Sequence, residues 1–247
     1  MGQRPNFAVQ HMIAAARFAR LCYKVEDENA GVPFGPFYDE IISYVTATIL
    51  SSVASLEANI NEIFADVRDN LIVFDGLDMN LLTEIWDLIE KKPILEKYQF
   101  ALVLKKKDRM NKSDQHYQYV DILIKVRNAL VHFKPEWIGE QQEHEKIGKL
   151  LRGKFTLSPF LSENDPIFPM RCMTHGFADW AVRSSLEFVQ WFTQSAHLPN
   201  RFVQFLDAQG TLMKIITLHP LVIVHVGVCG SAVVKVIQKR ESGDRDS

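Results

Sequence analysis

Apolar residues recur at helical spacing through the first four-fifths of the chain, then give way to short β-branched runs. Phe7, Met12, Ile13, Phe18 and Leu21, set among alanines, predict a helix over 7–26. Gly and Pro make 30–36 a loop. The longest periodic stretch is 37–70, where Val45, Ile49, Val53, Leu56, Ile60, Ile63 and Val67 recur at three and four. Ala47, Ser51, Ser52, Ala54, Ser55 and Ala58 let a second helix approach it closely. Short helices are expected at 78–91, which Pro93 ends, and at 94–104. A basic loop, 105–112, leads into a helix over 114–133 that Ser113 can cap and Pro135 stops. A polar helix over 136–152 and a proline-rich loop over 153–171 follow. Thr174 can cap the next helix, 174–196, whose stripe is Phe177, Trp180, Ala181, Ser184, Phe188, Trp191 and Phe192. Beyond 200, the runs 202–206, 212–218, 221–228 and 232–237 read as strands, and 239–247 as a charged, frayed tail. The expected architecture is mainly α. Residues 1–197 form a helical domain, and 198–247 a small β-like extension.

Composition adds exclusions. With 47% apolar residues the chain is not expected to be disordered. A net charge of −2, from 28 basic and 30 acidic residues, gives no bulk signal for nucleic acid, so such a role needs local clustering. Cys22, Cys172 and Cys229 lie far apart and suit reduced thiols in the cytoplasm. His116, His144, His175, His219 and His225 have no ligand spacing with Cys or acids, so neither a metal nor another cofactor is expected. No signal peptide is read at the N-terminus. Residues 215–234 carry no formal charge and are long enough to span a bilayer, but Pro220, His219, His225 and the valine content argue against it.

The candidate chemistry sits at the end of the 114–133 helix. Asn128 and His132 are four apart and share a face. Arg127 is about 140° from His132 around the helix and long enough to reach that face. The helix C-terminus interacts favourably with cationic side chains. An Arg, an amide and a His on one helix end are a phosphodiester-cleaving set. The competing reading is a surface helix end at which His132 caps carbonyls and Arg127 pairs with an acid such as Glu57. Glu57 and Asn61, inside the long apolar helix, need polar partners, and Arg127 is the obvious one for Glu57. Lys105, Lys106, Lys107 and Arg109 on one side, with Lys134, Lys146, Lys149 and Arg152 on the other, would track an RNA backbone if they flank the motif. Tyr117, Tyr119 and Trp137 could stack bases, though core or interface roles suit them better.

Arg127-Asn128-Ala129-Leu130-Val131-His132 resembles the Arg-polar-x-x-x-His signature of the HEPN superfamily. These are all-helical domains, many of them metal-independent ribonucleases of prokaryotic toxin–antitoxin and anti-phage systems. The Glu-x-x-x-Asn-Glu spacing of Glu57, Asn61 and Glu62, with serines preceding it, is loosely similar to a helix such domains place beside the active one. The Cys172–Ala181 segment also resembles some bacterial members. The resemblance implies an antiparallel helical bundle over about 37–197. It also implies an endoribonuclease in which Arg127, Asn128 and His132 are catalytic, with Glu57 and Asn61 in support. One His is thin for two proton transfers, so it further implies a homodimer with two motifs in one groove, with RNA and an antitoxin protein as partners. The alternative is a non-catalytic HEPN-like module that binds nucleotides or dimerises. A membrane-tethered defence component is a third reading. Relatives paired with a nucleotidyltransferase antitoxin carry a Tyr two residues after the His. Here that residue is Lys134, so regulation through such a Tyr is not expected.

Overall fold

A computed structural model describes residues 5–68, 73–74, 76–137, 142–207 and 213. The described residues form seven α-helices: α1 (Phe7–Glu28), α2 (Phe37–Arg68), α3 (Met79–Ile89), α4 (Ile94–Leu104), α5 (Gln115–Val131), α6 (Gln142–Leu151) and α7 (His175–Ala196). The chain is mainly helical, as its periodicity predicts.

The long helix α2 is the axle, packing against α1, α3, α4, α5 and α7. Phe37–Asp66 is long and apolar enough to cross a membrane by length and composition alone. Here Val45, Ile49, Val53, Leu56 and Ile60 form its buried stripe inside the bundle. Small buried residues, Ala8, Ala15, Ala16 and Ala19 on α1 and Ser52 and Ser55 on α2, suit the close packing of these two helices. The Ser55 hydroxyl donates to the Ala8 carbonyl at 2.6 Å.

Both ends of α1 are held by carboxylates. Near its start, Glu62 of α2 accepts the Ala8 N–H at 3.0 Å. At its end, Glu26 accepts the backbone N–H of His175 at 2.7 Å and also bonds the His175 ring through Nδ1. Thr174 completes the α7 cap by accepting from the Phe177 N–H at 3.1 Å. A carboxylate at a helix N-terminus is stabilised by the unsatisfied N–H groups there. The Glu26 hydrogen bond raises the His175 pKa above 6.5, against the opposing effect of burial. The bound proton therefore stabilises the fold fully below the unfolded value near 6.5, and that contribution disappears as pH rises through the raised folded value. The gap in urea midpoint between wild type and Glu26→Gln is expected to be wide just below pH 6.5 and to narrow above it. A gap independent of pH would contradict the linkage.

Helix α7 supplies the aromatic centre. Tyr98 of α4 sits edge-on to Phe188 and Phe192, with ring centroids 4.9 Å and 4.7 Å away. The Tyr98 hydroxyl donates to the Leu56 carbonyl at 2.9 Å and accepts from Asn59 Nδ2 at 3.0 Å. Burial pushes this phenol above its ordinary pKa.

The structure departs from the sequence reading in three places. Asp114 rather than Ser113 caps α5, accepting from the His116 N–H. Glu136 and Trp137, expected to open the next helix, are not helical, and 138–141 lie outside the described residues. Residues 202–206, read as a strand, contain a 3-10 turn at Val203–Phe205. Phe202 and Phe205 are both buried in the helical core. Side chains three apart eclipse in a 3-10 turn, whereas strand alternation would point them to opposite faces. The first residues of the expected β-like extension thus belong to the helical core. Of the other expected strands, 221–228 and 232–237 lie outside the described residues, as does 212–218 apart from Met213. Residues 215–234 also lie outside them.

Candidate functional site

The buried face of α5 is Val120, Ile122, Leu123 and Val126, directed at α2 and α7. That fixes the bearing of the residues following Val126. Arg127 is half-buried, while Asn128 and His132 are exposed. His132 is the C-cap, at φ −107° and ψ 41°, and its backbone N–H donates to the Asn128 carbonyl at 2.9 Å. The imidazole is therefore presented to solvent rather than buried against helix carbonyls. Arg127 Nε is buried with no hydrogen-bond partner among the described residues. Arg171 Nε and Trp180 Nε1 stand the same way.

The chain leaving His132 is fastened by a residue that sequence reasoning passed over. His144, buried on α6, donates from Nε2 to the Lys134 carbonyl at 3.0 Å. The donor role follows because a carbonyl can only accept. The His144 ring stacks on Phe133, centroids 5.2 Å apart, and sets its edge to Phe168 at 5.4 Å. Glu136 returns the contact by accepting the backbone N–H groups of Glu143 and His144 at 3.2 Å and 3.1 Å. It thereby caps the start of α6. Gly148 lets α6 sit on the Ile167–Arg171 turn, since a Cβ there would come within 3.3 Å of Ile167 Cβ. Removing the cap with Glu136→Ala is expected to cost about 1 kcal/mol. Urea denaturation measures it, and an unchanged midpoint would show that the cap contributes nothing. No spacing in the sequence links residues 133–136 to 143–144. Only the lone His in a polar helix hinted at a role.

Glu57 and Asn61 are not partners of Arg127. Both turn to Lys97 of α4, a lysine only 2% exposed. Its Nζ lies 3.5 Å from Glu57 Oε1, donates to Asn61 Oδ1 at 3.0 Å and sits 5.8 Å from the centre of the Trp86 ring. A buried ammonium needs such neighbours more than a half-exposed guanidinium does. The signal was Lys97 itself, a charge within the apolar run Ile94–Leu104.

The basic residues divide into separate groups. Lys105, Lys106, Lys107 and Arg109 precede α5, and the motif ends it. Seventeen helical residues separate them by about 25 Å, so in one chain this loop does not flank His132. Lys105 donates to the Val73 carbonyl at 2.9 Å, and Lys107 lies 3.3 Å from the His197 ring. Lys106 and Arg109 are exposed. Nearer the motif, Lys146 pairs with Glu143 at 2.6 Å and Lys149 with Glu145 at 2.9 Å, which partly cancels their charge. Lys134 and Arg152 are exposed. Of the aromatics, Tyr117 and Tyr119 pack partly buried against the core, whereas Trp137 is 83% exposed.

Among the described residues no group of three or more His, Cys, Asp or Glu side chains is arranged to hold a metal ion. The chain matches no family model, no curated protein and no solved structure.

Proposed function

We propose that the chain is a HEPN-like, metal-independent endoribonuclease of the prokaryotic toxin or anti-phage defence type. The observation that carries this reading is the exposed His132 at a fastened helix end, with the half-buried Arg127 in the same last turns of α5. The Arg-Asn-x-x-x-His resemblance supports it.

In the proposed reaction a ribose 2′-OH loses its proton and attacks the adjacent phosphorus. The bond from phosphorus to the 5′ oxygen breaks, and that oxygen takes up a proton. The products are a 2′,3′-cyclic phosphate and a 5′-OH end. His132 is the general acid or base. Arg127 stabilises the charge growing on the non-bridging oxygens. Asn128, exposed one turn before His132, orients the ribose.

A single His leaves the second proton transfer without a group, so the reading includes a homodimer that brings two motifs into one groove. The basic loop at 105–109 could then reach a motif only across that dimer. An antitoxin partner and a cytoplasmic setting belong to the same reading. The test is to incubate the full chain with RNA in EDTA and determine the ends. Cyclic phosphate and 5′-OH products support the reading, and intact RNA overturns it. The second reading is a non-catalytic HEPN-like interaction module. It draws on Lys146 and Lys149 being paired with their own helix's acids, which weakens the RNA track beside His132.

A further inference from the structure

Helix α3 is apolar in two directions at once. Leu82 and Ile89 are seven residues apart and buried, so they form its inward stripe. Leu81 and Leu88 are also seven apart, on a stripe rotated by about 100°. They are 50% and 75% exposed, with Ile85 half-buried between them. On the side of this outer stripe away from the core lie Glu84 and Asp87, both exposed. Neither pairs with a described residue. Lys91 and Lys92 come only after the helix ends at Ile89.

We propose that this face of α3 docks an amphipathic helix of a partner protein whose apolar stripe is flanked by lysine or arginine. Charge selects this occupant. A second copy packed two-fold on the same face would set Glu84 and Asp87 against their own equivalents. A nucleic acid or an anionic membrane would meet the same exposed carboxylates. A basic helix instead covers Leu81 and Leu88 and neutralises the acids beside them. Eleven residues give α3 a length of about 16 Å, so the contact is small and the complex transient. The proposal is independent of the ribonuclease reading.

The test uses the full chain and two labelled synthetic helical peptides of leucine, one flanked by lysines and one by glutamates. The lysine peptide is expected to bind wild type saturably, roughly tenfold or more tightly than the glutamate peptide. E84K/D87K should reverse that order. L81S/L88S should abolish binding with unchanged circular dichroism, because both leucines are exposed. Equal affinity for the two peptides, no binding of the lysine peptide, or indifference to all four substitutions overturns the proposal. So does a wild-type dimer in sedimentation that L81S/L88S converts to monomer, since a second copy would then own the face.

Discussion

Replacing His132 by alanine is expected to slow RNA cleavage in EDTA by about a hundredfold to ten-thousandfold, the range a positioned acid or base contributes. The structure makes this substitution unusually clean. His132 holds α5 closed through its backbone N–H to Asn128, which alanine keeps. Its side chain is exposed, so stability should stay within about 0.5 kcal/mol of wild type. Single-turnover cleavage and urea denaturation on the same preparation separate the two effects. Wild-type cleavage by the variant would remove His132 from the chemistry and overturn the assignment of this motif as the catalytic set.

The largest expected loss of stability follows Phe188→Ala. Phe188 is fully buried and meets Tyr98 edge-on at 4.9 Å. Truncating a buried phenylalanine costs about 3–5 kcal/mol, through lost transfer energy and the cavity left behind. A domain stable by about 5–15 kcal/mol loses much of its margin. The effect should also be felt through Tyr98, whose hydroxyl ties α4 to Leu56 and Asn59 of α2. The measurement is the urea midpoint at unchanged slope. A shift equivalent to less than about 1 kcal/mol would mean that this aromatic junction does not bear on the fold.

The helices were legible in the sequence because each buries one stripe, and stripes show as period. Val45, Ile49, Val53 and Leu56 announce α2, and Phe177, Trp180 and Phe188 announce α7. What periodicity cannot carry is the pairing between elements. A carboxylate inside an apolar helix needs a polar partner, and sequence alone offers Arg127 to Glu57. The lysine that satisfies Glu57 lies forty residues further on, inside the short helix expected at 94–104. The Glu136–His144 fastening was hidden for a similar reason. Backbone N–H and C=O groups make most of its bonds, and they leave no mark on residue type. Phe202 and Phe205 show the opposite failure. Their composition favoured a strand, but only a tight turn lets both reach the core.

The motif itself was legible as a sequence, and its exposure followed from the bearing of Val126. The separation of the basic loop from it was also computable, because the helix between them has a fixed rise. That arithmetic limits the loop to acting from a second subunit.

The carboxylates at the two ends of α1 bear on how the molecule comes apart. Helices ordinarily fray from their ends, well below the free energy of global unfolding. Glu62 and Glu26 are only 13% and 11% exposed at their side chains, so both fasteners are sheltered from water. With neither end loose, α1 has no place to begin fraying. Tied to α2 at one end and to α7 at the other, it is expected to open together with them.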